Sequence, residues 1–340
     1  MLVPATAAVV AIGTVVSGAT AADGRTGASH GPASPVRPGV IDSSPFWNDP
    51  ESDAARQVRQ WKLEGRTRDA RILRRISDQP QATWVAWDDP VPDIARVMAG
   101  AEKKKKTAVL VAYNIPHRDC GQHSAGGAPD AERYLRWIGA FAKAIGNGKA
   151  IVVLEPDAVP HMVDGCTPKG MRAERTRLLA KAVARLKRQP GVKVYLDAGN
   201  SGWIADPWQL VAPLRQSGIE RSDGFVLNTA NFQTTASLKA YGRRISEFLG
   251  GKHFVLDTSR NGNGPLLGTW CNPPGRALGH PPTTKTDDPL VDAYLWIKNP
   301  GDSDGSCGGG PPAGTWWPEH ALGLARATTQ NTQRTTRMLQ

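Results

Sequence analysis

The chain has 340 residues, 40% hydrophobic and 21% charged, enough material to bury a sizeable core in one large α/β domain or two small ones. Its net charge of +11 invites a nucleic-acid partner, but no nucleic-acid motif accompanies it and the aromatics cluster away from the basic run. Four cysteines without Cys-x-x-Cys spacing, and seven scattered histidines, argue against a zinc or redox centre.

Residues 2–22 carry no charge, and Ala19-Thr20-Ala21 resembles a signal-peptidase site, although only Met1 precedes the apolar stretch. The alternative is a membrane anchor, which the many small residues weaken. Residues 23–40, rich in Gly, Pro and Ser, read as a disordered linker. One folded domain is expected over 41–330 and a flexible tail over 331–340.

Seven short β-rich segments then alternate with amphipathic helical ones. Strands are expected at 83–87, 108–113, 150–154, 192–196, 224–227, 253–256 and 293–297, with helices over 53–65, 130–145 and 171–188 among others. The lysines at 103–106 follow a helical stretch, where a solvated C-terminus favours cations. Repeated βα units imply a parallel sheet, and seven of them suggest a barrel rather than an open sheet.

Two of these apolar runs end abruptly in carboxylates. The run at 108–113 leads into a polar cluster closing on Asp119 and Cys120, and the run at 150–154 into Glu155-Pro156-Asp157. Acids delivered at the C-terminal ends of parallel strands are how a β/α enzyme assembles acid–base chemistry. Taken alone, the two acids could equally cap the helices that follow.

Tyr113-Asn114-Ile115-Pro116-His117-Arg118-Asp119-Cys120, followed by Ser124-Ala125-Gly126-Gly127-Ala128, resembles the first signature of glycoside hydrolase family 6, the inverting cellulases. Leu154-Glu155-Pro156-Asp157-Ala158 resembles the second. Three further matches follow in order: Tyr195 to Trp203, Asn228-Thr229-Ala230-Asn231, and Leu295 to Gly305. Five collinear motifs span nearly the whole chain from about residue 45 to about 327. The resemblance implies a distorted seven-stranded parallel β/α barrel, similar to a TIM barrel, with its active-site cleft at the strand C-terminal ends.

Inverting glycosidases need a proton donor at the leaving oxygen and a base that activates water on the other face of the sugar. By resemblance Asp157 is the general acid, Asp119 the neighbour that tunes it, and Asp304 the family's usual candidate for the base, with water activation through a relay as the alternative. Ser124 could then carry the relay, since Ala125 stands where some relatives have serine. Asp197 is implied to hold the acid cluster together, and Glu155 is expected to turn away from Asp157 into hydrogen bonds. Tyr113 is implied to lie beneath the reacting ring. Asn231, Lys298 and Asp302 match substrate contacts, although Asp302 is shorter than the glutamate often found there. Asn200 lies where some relatives have histidine.

The 11 tryptophans offer flat platforms for the apolar faces of glucose. The resemblance places Trp203, Trp270 and Trp47 along the substrate, Trp47 on the loosest alignment. Trp84 and Trp87 are expected in the core or at the barrel mouth, and Trp316 and Trp317 in packing.

Four cysteines in an exported chain suggest two disulfides, with three possible connectivities. Cys120 with Cys166 and Cys271 with Cys307 would join neighbouring loops at strand ends, and this is the pairing the resemblance implies. The segment from Asp304 to Trp316 is short and glycine-rich where processive relatives carry a long insertion, so an open cleft and an endo-β-1,4-glucanase are expected. The alternatives are a cellobiohydrolase of the same family and a non-catalytic carbohydrate-binding protein on this fold. A secreted monomer acting on cellulose and cello-oligosaccharides is expected, without cofactor, metal, nucleic acid or obligatory protein partner.

Overall fold

The computed structural model describes residues 45–338; the expected leader and linker, and the last two residues of the expected tail, lie outside them. Seven strands form one sheet in the order β1-β2-β3-β4-β5-β6-β7. They are β1 (Thr83–Val85), β2 (Ala108–Ala112), β3 (Ala150–Leu154), β4 (Val192–Asp197), β5 (Gly224–Leu227), β6 (His253–Asp257) and β7 (Val291–Leu295). Every neighbouring pair is parallel. The sheet curls, but β1 and β7 share no ladder. Their seam is held by the Ala82 amide donating to the Trp296 carbonyl at 2.9 Å and by the Trp84 indole donating to the Ile297 carbonyl at 2.8 Å.

Period-two alternation explains how the sheet can be apolar on both faces. Val109, Val111, Ile151, Val153, Tyr195, Val226, Val255 and Ala293 face one another inside the curl. Their neighbours Leu110, Ala112, Val152, Leu154, Val194 and Leu196 face outward onto the helices. The covering helices include α3 (Val91–Lys103), α4 (Ala131–Ile145), α6 (Lys169–Leu186) and α8 (Thr235–Phe248). Asp130 caps α4 and Thr234 caps α8 through their side chains, each accepting from the amide three residues on.

A third apolar cluster joins the first two helices of the described residues to the last one. Trp61 of α1 (Asp53–Leu63), Leu73 and Ile76 of α2 (Thr67–Ser77), and Ala321, Leu324 and Ala325 of α9 (Pro318–Met338) pack together with Trp296 beside the seam. Helix α9 therefore runs past residue 330, where the sequence reading places the end of the domain. No helix among the described residues is long and apolar enough to cross a membrane.

The strand expectations hold to within a residue or two. The last one differs most: β7 starts at Val291 and ends at Leu295, because the backbone amides of Ile297 and Lys298 leave the ladder to donate to the Asp257 carboxylate at 3.3 and 3.0 Å.

Candidate active site

The side chains of interest stand at the C-terminal ends of the strands, in a cleft of about 1380 Å³. Beyond β2 and β3 the chain repeatedly enters left-handed backbone: φ is 50° at Asp119, 47° at Cys120, 49° at Glu155 and 70° at Asp157. Such residues cost roughly 1–3 kcal/mol each and persist only where surrounding bonds enforce them. Here those bonds are visible. Glu155 turns away from the cleft and is fully buried, and its carboxylate accepts from the amides of Asn114 and Ile115, each at 2.9 Å. It thereby sets the path of the segment that delivers Asp119. Burial pushes the Glu155 carboxyl up to about 7 despite these donors.

Asp157 lines the cleft. Its amide donates to Asp197 Oδ2 at 2.8 Å, and its own Oδ2 accepts from the Tyr113 hydroxyl at 3.2 Å. Burial, with the negative charges of Asp119 and Asp164 adding to it, raises the Asp157 carboxyl to about 6, while His161 and Tyr113 pull it down. Asp197 is buried beneath the pair, accepts from the Thr229 hydroxyl at 3.1 Å, and is likewise raised by burial and by Asp157. Of the two, Asp157 is the one whose proton can reach a ligand in the cleft.

Asp119 faces the same space. Its Oδ2 accepts the Ser124 amide at 2.6 Å, and its Oδ1 lies 3.8 Å from His161 Nε2. Ser124 thus meets Asp119 through its backbone, and it is among the residues that line the cleft. Arg118 braces the loop by donating to the carbonyls of Tyr113, Ala86 and Ser124, with its guanidinium 4.9 Å from the centre of the Tyr113 ring.

Across the cleft, Asp304 is nearly buried. Arg260 Nη1 donates to Oδ2 at 3.0 Å and stands 2.9 Å from Oδ1, the Asn272 amide reaches Oδ2 at 3.0 Å, and Lys298 Nζ stands 3.5 Å from Oδ1. Burial works to raise this carboxyl, but Arg260 and Lys298 outweigh it and hold it below the usual range. Lys298 is buried, which lowers its own pKa, and donates to the Ser303 carbonyl at 2.9 Å. Asp302 accepts from Asn299 through Oδ2 while its buried Oδ1 has no partner; burial raises it to about 6.

Trp203 and Trp270 both line the cleft. The Trp203 indole donates to Asp164 at 2.9 Å, and Trp270 is 51% exposed with its edge toward His123. Asn200 and Asn231 line it too, Asn200 with its Oδ1 accepting the Gly202 amide at 3.0 Å. Trp84 and Trp87 stand at the mouth, Trp84 edge-on to Tyr113 with ring centres 5.3 Å apart.

Trp47 departs from expectation. It is 7% exposed, belongs to the main core and is absent from the cleft wall. Its ring lies against Gly100 of α3 so closely that a β-carbon there would stand 2.4 Å from the indole. Pairing of the Phe46-Trp47 segment beside β2, through the Trp47 amide and the Thr107 carbonyl at 2.9 Å, turns this indole under the helices instead of toward substrate.

The disulfides are Cys120–Cys166 and Cys271–Cys307. The first joins the loops bearing Asp119 and Asp164; the second closes the loop carrying Asp304.

Four residues that sequence reasoning passed over also build the site: His161, Asp164, Arg260 and Asp257. Asp257 carried a signal, because it ends an apolar run just as Asp197 does. It is fully buried and staples three loops by accepting from the amides of Ala230, Ser259 and Lys298. Arg260 and His161 carried none.

The family model for glycosyl hydrolases family 6 matches residues 41–328. Endoglucanase A from Cellulomonas fimi is 46% identical over 288 residues, covering 84% of this chain and 61% of that protein. Endoglucanase 1 from Streptomyces sp. (strain KSM-9) is 44% identical over 261 residues, covering 75% of this chain and 71% of that protein. Among solved structures, the endoglucanase Cel6 from Mycobacterium tuberculosis, in complex with methyl-cellobiosyl-4-deoxy-4-thio-β-D-cellobioside, superposes with a TM-score of 0.79 at 40% identity. That match covers 85% of this chain and 99% of the other. Parallel βα units, acids gathered at the strand ends and a match of this extent lead to one conclusion: the chain belongs to glycosyl hydrolases family 6.

Proposed function

We propose that the protein is an endo-β-1,4-glucanase that cuts internal bonds of cellulose with inversion. The observation that carries this reading is the Asp157 carboxyl, raised to about 6 at the wall of an open cleft and flanked by Asp119 and Tyr113. A general acid must hold its proton until the leaving oxygen needs it, and a carboxyl raised to about 6 by burial and a second anion does so in mildly acidic solution, where an ordinary aspartate is ionised. Asp119 supplies that anion and also offsets positive charge developing on the sugar ring. Tyr113, whose hydroxyl reaches Asp157, fits beneath the reacting ring.

Asp304 takes the base role as a fixed anion. Its Oδ2 already accepts from Arg260 and Asn272, and its Oδ1 faces the Arg260 and Lys298 cations, which hold the carboxyl low and make it a weak proton acceptor. That favours transfer through an intervening hydroxyl or second water. Trp203 and Trp270 serve as sugar platforms, and Asn200, Asn231, Lys298, Asp302 and Ser124 supply polar partners for hydroxyls.

Internal attack is supported by a cleft of about 1380 Å³ and by the short segment after Asp304, and the relatives named above are endoglucanases. Two disulfides support export. Proton NMR of cellohexaose hydrolysis tests the reading: new reducing ends appear first as the α-anomer, and carboxymethyl cellulose loses viscosity ahead of sugar release. An initial β-anomer would overturn inversion. Cellobiose release without viscosity loss would overturn the endo mode.

A further inference from the structure

Immediately after the acid, the single turn α5 (Pro160–Val163) places His161 against the catalytic cluster. Its amide donates to the Asp157 carbonyl at 2.9 Å, so the position of the ring is tied to the acid's own backbone. The ring is held on two further sides. Nδ1 meets Asp164 Oδ2 at 3.1 Å, and the imidazole packs edge-on to Trp203 with ring centres 4.9 Å apart. The same Asp164 oxygen accepts the Trp203 indole at 2.9 Å, and Asp164 Oδ1 accepts the Cys166 amide at 2.8 Å.

A carboxylate only accepts, so Asp164 makes Nδ1 the protonated nitrogen and leaves Nε2 to face the cluster. His161 is 5% exposed, and Nε2 has no hydrogen-bond partner; it points toward Asp119 Oδ1, 3.8 Å away. In the imidazolium Nε2 carries a proton as well, and a shift of less than an ångström would let it donate to Asp119 Oδ1.

We infer that His161 is a positioning residue for the acid pair: anchored through Asp164 to the Trp203 platform, it holds Asp119 in the orientation from which Asp119 acts on Asp157. The inference rests on the glucanase reading above and adds a connection to it. Platform, bridging carboxylate, imidazole and acid pair form one continuous chain of contacts, so a sugar seated on Trp203 bears on the same unit that sets the acid.

Charge supports the arrangement. Asp119, Asp157 and Asp164 surround the ring and raise its pKa, although burial alone would lower it. The imidazolium in turn lowers Asp157, opposing Asp119 and Asp164. The other groups bearing on Asp157 are the Tyr113 hydroxyl, Asp197 beneath it and Arg175 of α6.

The test compares wild type with His161→Gln, His161→Ala and Asp164→Ala on cellohexaose, measuring kcat, KM, the pH dependence of kcat/KM and Tm. His161→Gln keeps an N–H but loses the charge: the alkaline limb moves to higher pH while kcat at the optimum stays within about threefold of wild type. His161→Ala lowers kcat by about tenfold or more with little change in KM, as expected when a reacting group loses its orientation. Asp164→Ala lowers kcat and raises KM together, because it frees both rings. If Ala at 161 prevents folding, the Gln variant decides. An unmoved alkaline limb in His161→Gln, with only Tm reduced, would overturn the inference and leave a packing role. Wild type that leaves cellohexaose intact would instead overturn the proposed function.

Discussion

The Tyr113 hydroxyl donates to Asp157 Oδ2 at 3.2 Å, and burial together with Asp157 and Asp119 raises the phenol well above its usual pKa. Tyr113 therefore remains a donor throughout the range in which Asp157 titrates, and it favours the ionised acid. Asp119 does the opposite by repulsion. Removing each should move the alkaline limb of kcat/KM in opposite directions. Tyr113→Phe shifts it to higher pH and Asp119→Asn to lower pH. Shifts of the same sign would contradict the assignment of both residues.

Asp157→Ala should lower turnover of cellulose by about 10²–10⁴-fold, the usual contribution of a general acid. Activity on an aryl cellobioside with a good leaving group should fall far less, because that bond breaks without a proton. The ratio of the two rates in wild type and variant measures the effect. Equal losses would remove Asp157 from the acid role.

Arg260→Met should be more damaging than the surface changes its distance from Asp157 suggests. It leaves the buried Asp304 with only the Asn272 amide and the more distant Lys298 ammonium, and breaking such a buried pair typically costs about 3–5 kcal/mol. Denaturant unfolding should show that loss, and Asp304→Asn in the same background should recover part of it. Additive losses would mean that the two residues do not act as a pair.

Trp270→Ala and Trp47→Ala separate platform from core. Truncating Trp270, half exposed in the cleft, should raise KM by about tenfold, corresponding to 1.4 kcal/mol, with Tm nearly unchanged. Truncating Trp47, buried against Gly100, should cost about 3–5 kcal/mol of stability and leave KM alone. A thermal melt and one saturation curve per variant decide it.

Stability should fall as pH rises from about 4 to 7. The carboxyls of Glu155, Asp157, Asp197 and Asp302 are raised to between about 6 and 7 in the folded state. Over that window the folded chain binds more protons than the unfolded one, so each unit of pH favours unfolding. His161, also raised, acts in the same direction. Asp304 and Asp69, both lowered, protect the fold only above the ordinary carboxylate range and lose that effect in stronger acid. Tm should therefore be higher at pH 5 than at pH 8.

The sequence made the strands legible because both faces of the sheet are buried, so β2 and β3 read as unbroken apolar runs. Acids that end such runs were legible for the same reason, and Asp119, Asp157 and Asp197 do meet around one point. Partners set by the third dimension were not. Arg260 reaches Asp304 across 44 residues, and His161 is distinguished only by what surrounds its ring. Trp47 shows the converse: a tryptophan near a motif points wherever its backbone pairing sends it, and pairing with Thr107 sends it under α3.

The seam between β1 and β7 has a consequence for how the molecule is made. Its fastenings join early described elements to late ones: Trp84 to Ile297, the Arg75 guanidinium to the Ala325 carbonyl, and Arg326 to Asp69 at 2.6 Å. A chain emerging from its N-terminus can ladder β1 through β6 in turn, but the curl stays ajar until α9 has been delivered. For that interval Trp61, Leu73 and Ile76 of α1 and α2 lack the cover that Ala321, Leu324 and Ala325 supply. Residues 321–326 of α9 are thus the domain's latch, and deletions that remove them should show first as chains lost during synthesis rather than as slow catalysts.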